Sequence, residues 1–128
     1  MAYPTGSGSE QLYNGTINAL SNTATAMFFD GAVNSTVGTN SHTVPALHIV
    51  TLLNIIITEQ GNSAEGIYLY VNDGTSDIKI LENVSLPAYE TFVFSEKMVL
   101  RGGHKLTINT ANAANVDVFY SYILQNWS

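Results

Sequence analysis

The chain of 128 residues has no cysteine, which excludes a disulfide scaffold and thiolate metal sites. Charge is scarce as well: Asp, Glu, Lys and Arg make up 11% of the residues, against about 25% in an average domain. The four cations, Lys79, Lys97, Arg101 and Lys105, are scattered, and ten acids leave a formal net charge of −6. Such a surface repels phosphate backbones, so nucleic acid is not an expected partner. The longest apolar run, around Ile49 to Ile57, is interrupted by Thr51 and Asn54 and is too short to cross a bilayer, so no membrane role is expected either. The first residues show no basic segment followed by an apolar core, which argues against a signal peptide and for synthesis in a cytosol. The sequons at Asn14, Asn34, Asn83 and Asn126 then read as chance matches in an Asn- and Thr-rich chain.

What the chain has instead is short alternating runs cut by turns. Lys105 to Thr110 and Val116 to Leu124 alternate cleanly, and Thr91 to Phe94 is an apolar extended run. Arg101-Gly102-Gly103-His104 supplies the positive φ of a tight reversal. Gly66 to Asn72 places Ile67, Leu69 and Val71 on one face with Tyr68 and Tyr70 on the other, and Asn72-Asp73-Gly74 marks a hairpin. In Pro45 to Gln60, strict alternation puts Leu47, Ile49, Leu53, Ile55 and Ile57 on one face and Val50, Leu52 and Ile56 on the other. A strand apolar on both faces should be central, its second face covered by another layer or another subunit. Asp30 to Thr43 is polar and reads as a long loop. The sum is an all-β chain: a single antiparallel β-sandwich, jelly-roll-like, of about eight strands. Residues 1–9 form a flexible N-terminal arm and residues 10–128 the sandwich domain.

No constellation carries chemistry, so an enzyme is not expected, and neither a metal nor a cofactor. His42, His48 and His104 lie in different elements without ligand spacing; His42 and His104 read as solvated loop residues and His48 as a strand residue. No serine sits in a nucleophile elbow, and no glycine-rich loop leads through lysine into a helix. Asn72 to Asp77 lacks the spaced acids of a calcium loop. Glu82, Glu90 and Glu96 are the acids that could pair for glycoside hydrolysis, but ten acids on a small domain give such pairs by accident. The aromatic residues carry more information. Tyr68 with Tyr70, and Tyr120 with Tyr122, share strand faces, and tyrosine is enriched at protein interfaces. Candidate protein-contact residues are Tyr68, Tyr70, Phe119, Tyr122 and Trp127.

The run Leu86 to Phe94, then Val99-Leu100, Gly103, Leu106, Val116-Asp117-Val118 and Tyr122-Ile123 resembles small virion proteins of tailed bacteriophages. The opening Met1 to Gly8 and the ending Tyr122 to Trp127 are similar to those of short proteins of marine and cyanobacterial phages. The resemblance implies a β-sandwich that decorates or cements the head exterior as a small homo-oligomer, a trimer being favoured. Its partners would be the major capsid protein or other virion proteins, and its location the virion, assembled in the host cytoplasm. Two alternatives go with it: a neck or tail adaptor or fibre-base protein, and a carbohydrate-binding module on a receptor-contacting fibre.

Overall fold

β-branched residues fill the segments that extend, because their stiff side chains fit a pleated surface. A computed structural model describes residues 10–112 and 115–126. Among them run ten strands: β1 (Glu10–Leu20), β2 (Thr25–Ala26), β3 (Asn34–Ser35), β4 (His48–Glu59), β5 (Glu65–Asn72), β6 (Asp77–Leu86), β7 (Thr91–Phe94), β8 (Met98–Arg101), β9 (Lys105–Thr110) and β10 (Val116–Asn126). They form two sheets of a jelly-roll-like sandwich. One has six strands in the order β3-β1-β10-β4-β7, with β8 also paired to β4; the other is β2-β9-β5-β6. The two strands beyond the expected eight include the short parallel bridge of β3 to β1, an exception to the otherwise antiparallel pairing. Leu86 closes β6 rather than opening the next strand, and the chain turns through Pro87 to Glu90 with Tyr89 at φ +59°.

The inner faces of the two sheets make the core. Ile67, Leu69 and Val71 point inward from β5 as their alternation requires, and Ile55 and Ile57 meet them from β4. The two faces of β4 differ from strict alternation. Ser121 pairs with Asn54 and Tyr122 with Leu52, so Leu53 is an extra residue, a β-bulge that shifts the phase. Val50 and Leu52 are buried before the bulge, and Ile55 and Ile57 after it. Ile49 therefore lies on the outward face with Ile56, whereas strict alternation places Ile49 with Ile55.

The segment Asp30 to Thr43 is not a free loop. It carries β3, and its backbone and side chains join the two sheets. Thr39 O accepts from Ala26 N–H at 2.6 Å, Asn40 O accepts from Lys105 Nζ at 2.7 Å, and Thr25 Oγ1 accepts from Gly38 N–H at 3.1 Å. This cover explains why Thr107 is buried although it points away from the core.

Candidate interaction face

The outward side of the six-stranded sheet is a grid fixed by strand register. One row runs Glu10–Gln125–Ile49–Arg101 across β1, β10, β4 and β8. The next is apolar: Leu12–Ile123–Thr51–Val99. The middle row, Asn14–Ser121–Asn54, is polar and uncharged. A second apolar row follows, Thr16–Phe119–Ile56–Val93, and then Asp117–Thr58–Thr91. Leu12 is 72% exposed, Val99 66%, Val93 54% and Phe119 41%. Isolated apolar side chains on a surface are ordinary, but two mostly apolar rows, each with one threonine and flanking a narrow uncharged row, are not.

The grid has relief. A hollow of about 300 Å³ lies around Phe119, lined by Thr16, Asn18, Ile56, Thr58 and Asp117. A second of about 380 Å³ is lined by Leu12, Asn14, Leu53, Asn54 and Ser121. The bulge at Leu53 creates the second hollow. Asn54 Oδ1 sits there, buried and without a hydrogen-bond partner among the described residues. Asp117 is already engaged: its Oδ1 accepts from the N–H of Ala19, which stands at φ +57° in a bulge of β1.

Beneath the grid an aromatic cluster packs against the sheet. The Phe29 ring stands edge-on to Tyr122 at 4.9 Å and to Tyr120 at 5.6 Å. The Tyr120 hydroxyl donates to Phe28 O and accepts from Phe28 N–H, both at 3.0 Å, and meets Ser35 Oγ at 2.9 Å. The Tyr122 hydroxyl accepts from Gly31 N–H at 3.1 Å. Burial pushes the Tyr120 hydroxyl's pKa up, and it pushes that of Tyr122 up to about 12, despite the bond from Gly31. Neutral phenols are thereby held as hydrogen-bonding groups in the core.

The five expected contact residues separate. Phe119 lies on the grid, in its second apolar row, and is 41% exposed. Tyr122 is fully enclosed in the core, a correction to its reading as a contact residue: β10 is apolar on both faces, and its alternation alone does not say which face turns inward. Tyr68 and Tyr70 are half-buried on the outward side of the other sheet, where Asn109 pairs with Tyr68 and the Lys79 ammonium lies 4.4 Å from the Tyr70 ring centroid. Trp127 and the arm of residues 1–9 lie outside the described residues. Sequence reasoning missed Leu12, Val93 and Val99, because each lies in a different strand and only register aligns them.

The titratable groups remain dispersed. Glu82, Glu90 and Glu96 are exposed, and no cluster of three or more metal-ligating acids, histidines or cysteines occurs among the described residues. His42 is not solvated as its loop position suggests. Its Nε2 accepts from Phe29 N–H at 3.1 Å and its ring packs edge-on against Phe28 at 4.6 Å. Burial lowers its pKa, with nearby Asp30 opposing. His48 Nδ1 bonds Ala46 O at 2.8 Å. Asp73 caps the β5–β6 hairpin, accepting from Thr75 and Ser76 N–H at 2.9 Å, and those donors hold its carboxyl below the usual range.

No protein-family model and no curated protein sequence matches the chain. Solved structures do resemble it. The Drosophila NLP core, a pentamer-forming protein, is 16% identical over 88% of this chain and 94% of that one, at a TM-score of 0.48. A chain of the infectious bursal disease virus T13 particle is 13% identical over 93% of this chain but only 32% of its own length, at 0.46. A pentameric capsid protein from metagenomic phage sequences is 16% identical over 90% of this chain and 64% of that one, at 0.38. Each likeness is partial.

Proposed function

We propose that the chain is a non-catalytic structural protein of a phage virion, set on the exterior of the head as a small homo-oligomer that cements the shell. The observation that carries this reading is the grid: two mostly apolar rows, partly exposed in the single chain, on a sheet backed by a buried aromatic cluster. A surface of that kind is stabilised when protein covers it. The scarcity of charge fits an assembly in which many copies crowd together, because like-charge fields would oppose packing. The trimer implied by the sequence resemblance is one closed form of such a homo-oligomer. The outward side of the other sheet, with Tyr68 and Tyr70, is then free to meet capsid protein.

The test is to mix the full chain with emptied phage heads, sediment the particles and reconstruct them. Density repeated over the head with the shell's own symmetry supports the reading. A single ring at one vertex supports the neck adaptor instead, and no co-sedimentation overturns the virion role. The carbohydrate-binding reading retains one observation, the neighbouring Tyr68 and Tyr70 beside Asn109. Glycan-array binding that Tyr68→Ala abolishes would favour it.

A further inference from the structure

We propose that the grid is the contact between two copies of this chain, related by a two-fold axis that lies in the face and runs along the strands. The inference rests on the reading of the chain as an assembly protein and names what covers its apolar face. Such a rotation exchanges left and right and keeps every row in place. Each residue therefore meets the residue at the mirrored position of its own row. Glu10 on β1 meets Arg101 on β8 of the second copy, and the reciprocal pair forms at the other edge. Leu12 meets Val99, Phe119 meets Ile56 and Thr16 meets Val93, so apolar rows lie on apolar rows. In the middle row Ser121 meets Asn54. The Asn54 oxygen, which has no partner among the described residues of its own chain, reaches that hydroxyl by a turn of its amide.

Charge selects this axis over its rival. A two-fold running across the strands inverts the order of the rows and sets Arg101 against Thr91 and Gln125 against Asp117, so no cation meets an acid. With the axis along the strands, Asp117 faces Thr58 of the second copy, and its own carboxylate already holds Ala19 N–H. Two chains of net charge −6 thus meet without an acid facing an acid. Area is sufficient as well. Four strands at about 4.8 Å and five rows at about 6.6 Å span on the order of 600 Å² per copy. The total of about 1,200 Å² is where stable interfaces begin.

The experiment is sedimentation velocity across micromolar concentrations on six proteins: the full-length wild type, Glu10→Arg, Arg101→Glu, the double swap, Phe119→Asp, and residues 10–128. The wild type is expected at twice the chain mass. Each single reversal should weaken pairing about tenfold or more, and the double swap should restore it to within about threefold. Phe119→Asp should be monomeric with an unchanged circular dichroism spectrum, because the side chain is partly exposed before pairing. A monomer at every concentration, a trimer or pentamer, or a double swap no tighter than the singles overturns the proposal. So does pairing by residues 10–128 alone when the full chain stays single, since residues 1–9 are then the occupant. The two readings fail separately: chains that pair but ignore heads overturn the virion role alone, and monomers that bind heads overturn the pairing alone.

Discussion

Gly15 touches the Tyr120 ring so closely that an added Cβ would stand 2.3 Å from Cζ. Tyr120 is fully buried, and a retreat of its ring would break the hydroxyl's bonds to Phe28 and Ser35. Gly15→Ala should therefore cost about 1–3 kcal/mol, the usual penalty of overpacking. Urea unfolding measures it, and a midpoint equal to wild type would mean the ring moves freely. His42 gives a pH signature. Its neutral Nε2 accepts Phe29 N–H, and burial sets its folded pKa below 6.5. The linked stability is complete above about 6.5 and is lost as the pH falls through the folded value. Denaturant unfolding at pH 7 and pH 5 should show a larger drop for wild type than for His42→Gln, and equal drops would refute the linkage. Tyr122 acts in the opposite window. Its pKa of about 12 lies above the unfolded value of about 10, so stability is complete below pH 10 and declines between 10 and 12. Tyr122→Phe should flatten that alkaline loss in thermal melts.

At the level of strands, the bulge in β4 decides which residues face inward, and it is testable by deletion. Removing Leu53 leaves Val50, Leu52, Ile55 and Ile57 on one strict period of two, with the pairing to β10 intact. The deletion variant should fold cooperatively with a melting point within about 5 °C of wild type, well short of the shift a core truncation brings. An unfolded product would show that the bulge's extra twist is needed. The same bulge marks the limit of what the sequence reveals. Alternation in β5, β9 and β10 and the Asn-Asp-Gly hairpin are local signals, and those elements stand where they are expected. Phase across Leu52 to Ile57 is not local, because a run apolar on both faces reads equally well with or without an extra residue. Nor does the polar composition of Asp30 to Thr43 reveal that Asn40 and His42 would be hydrogen-bonded to distant backbone and side chains. The contact grid was legible only at Phe119, since Leu12, Val93 and Val99 become neighbours through pairing between segments far apart in the chain.

Across the whole molecule, net charge and the apolar face act on association in opposite directions, and salt separates them. Two bodies of charge −6 about 25 Å apart repel by about 6 kcal/mol in unscreened water. With a Debye length of about 30 Å at 0.01 M and about 8 Å at 0.15 M, that repulsion falls from roughly 2.5 to roughly 0.3 kcal/mol. The two rim pairs of Glu10 and Arg101 are exposed, contribute about 0.2–1 kcal/mol each, and lose part of that to the same screening. Repulsion loses more, so pairing through the grid should tighten by about 1 kcal/mol, or roughly fivefold, as salt rises from 0.01 to 0.15 M. Higher salt should change it little, because the apolar rows carry no charge to screen. A contact held mainly by opposite charges would weaken over the same range. Sedimentation equilibrium at the two ionic strengths reads the sign directly, and weakening with salt would place the self-contact on the charged rim rather than on the rows of Leu12 and Phe119.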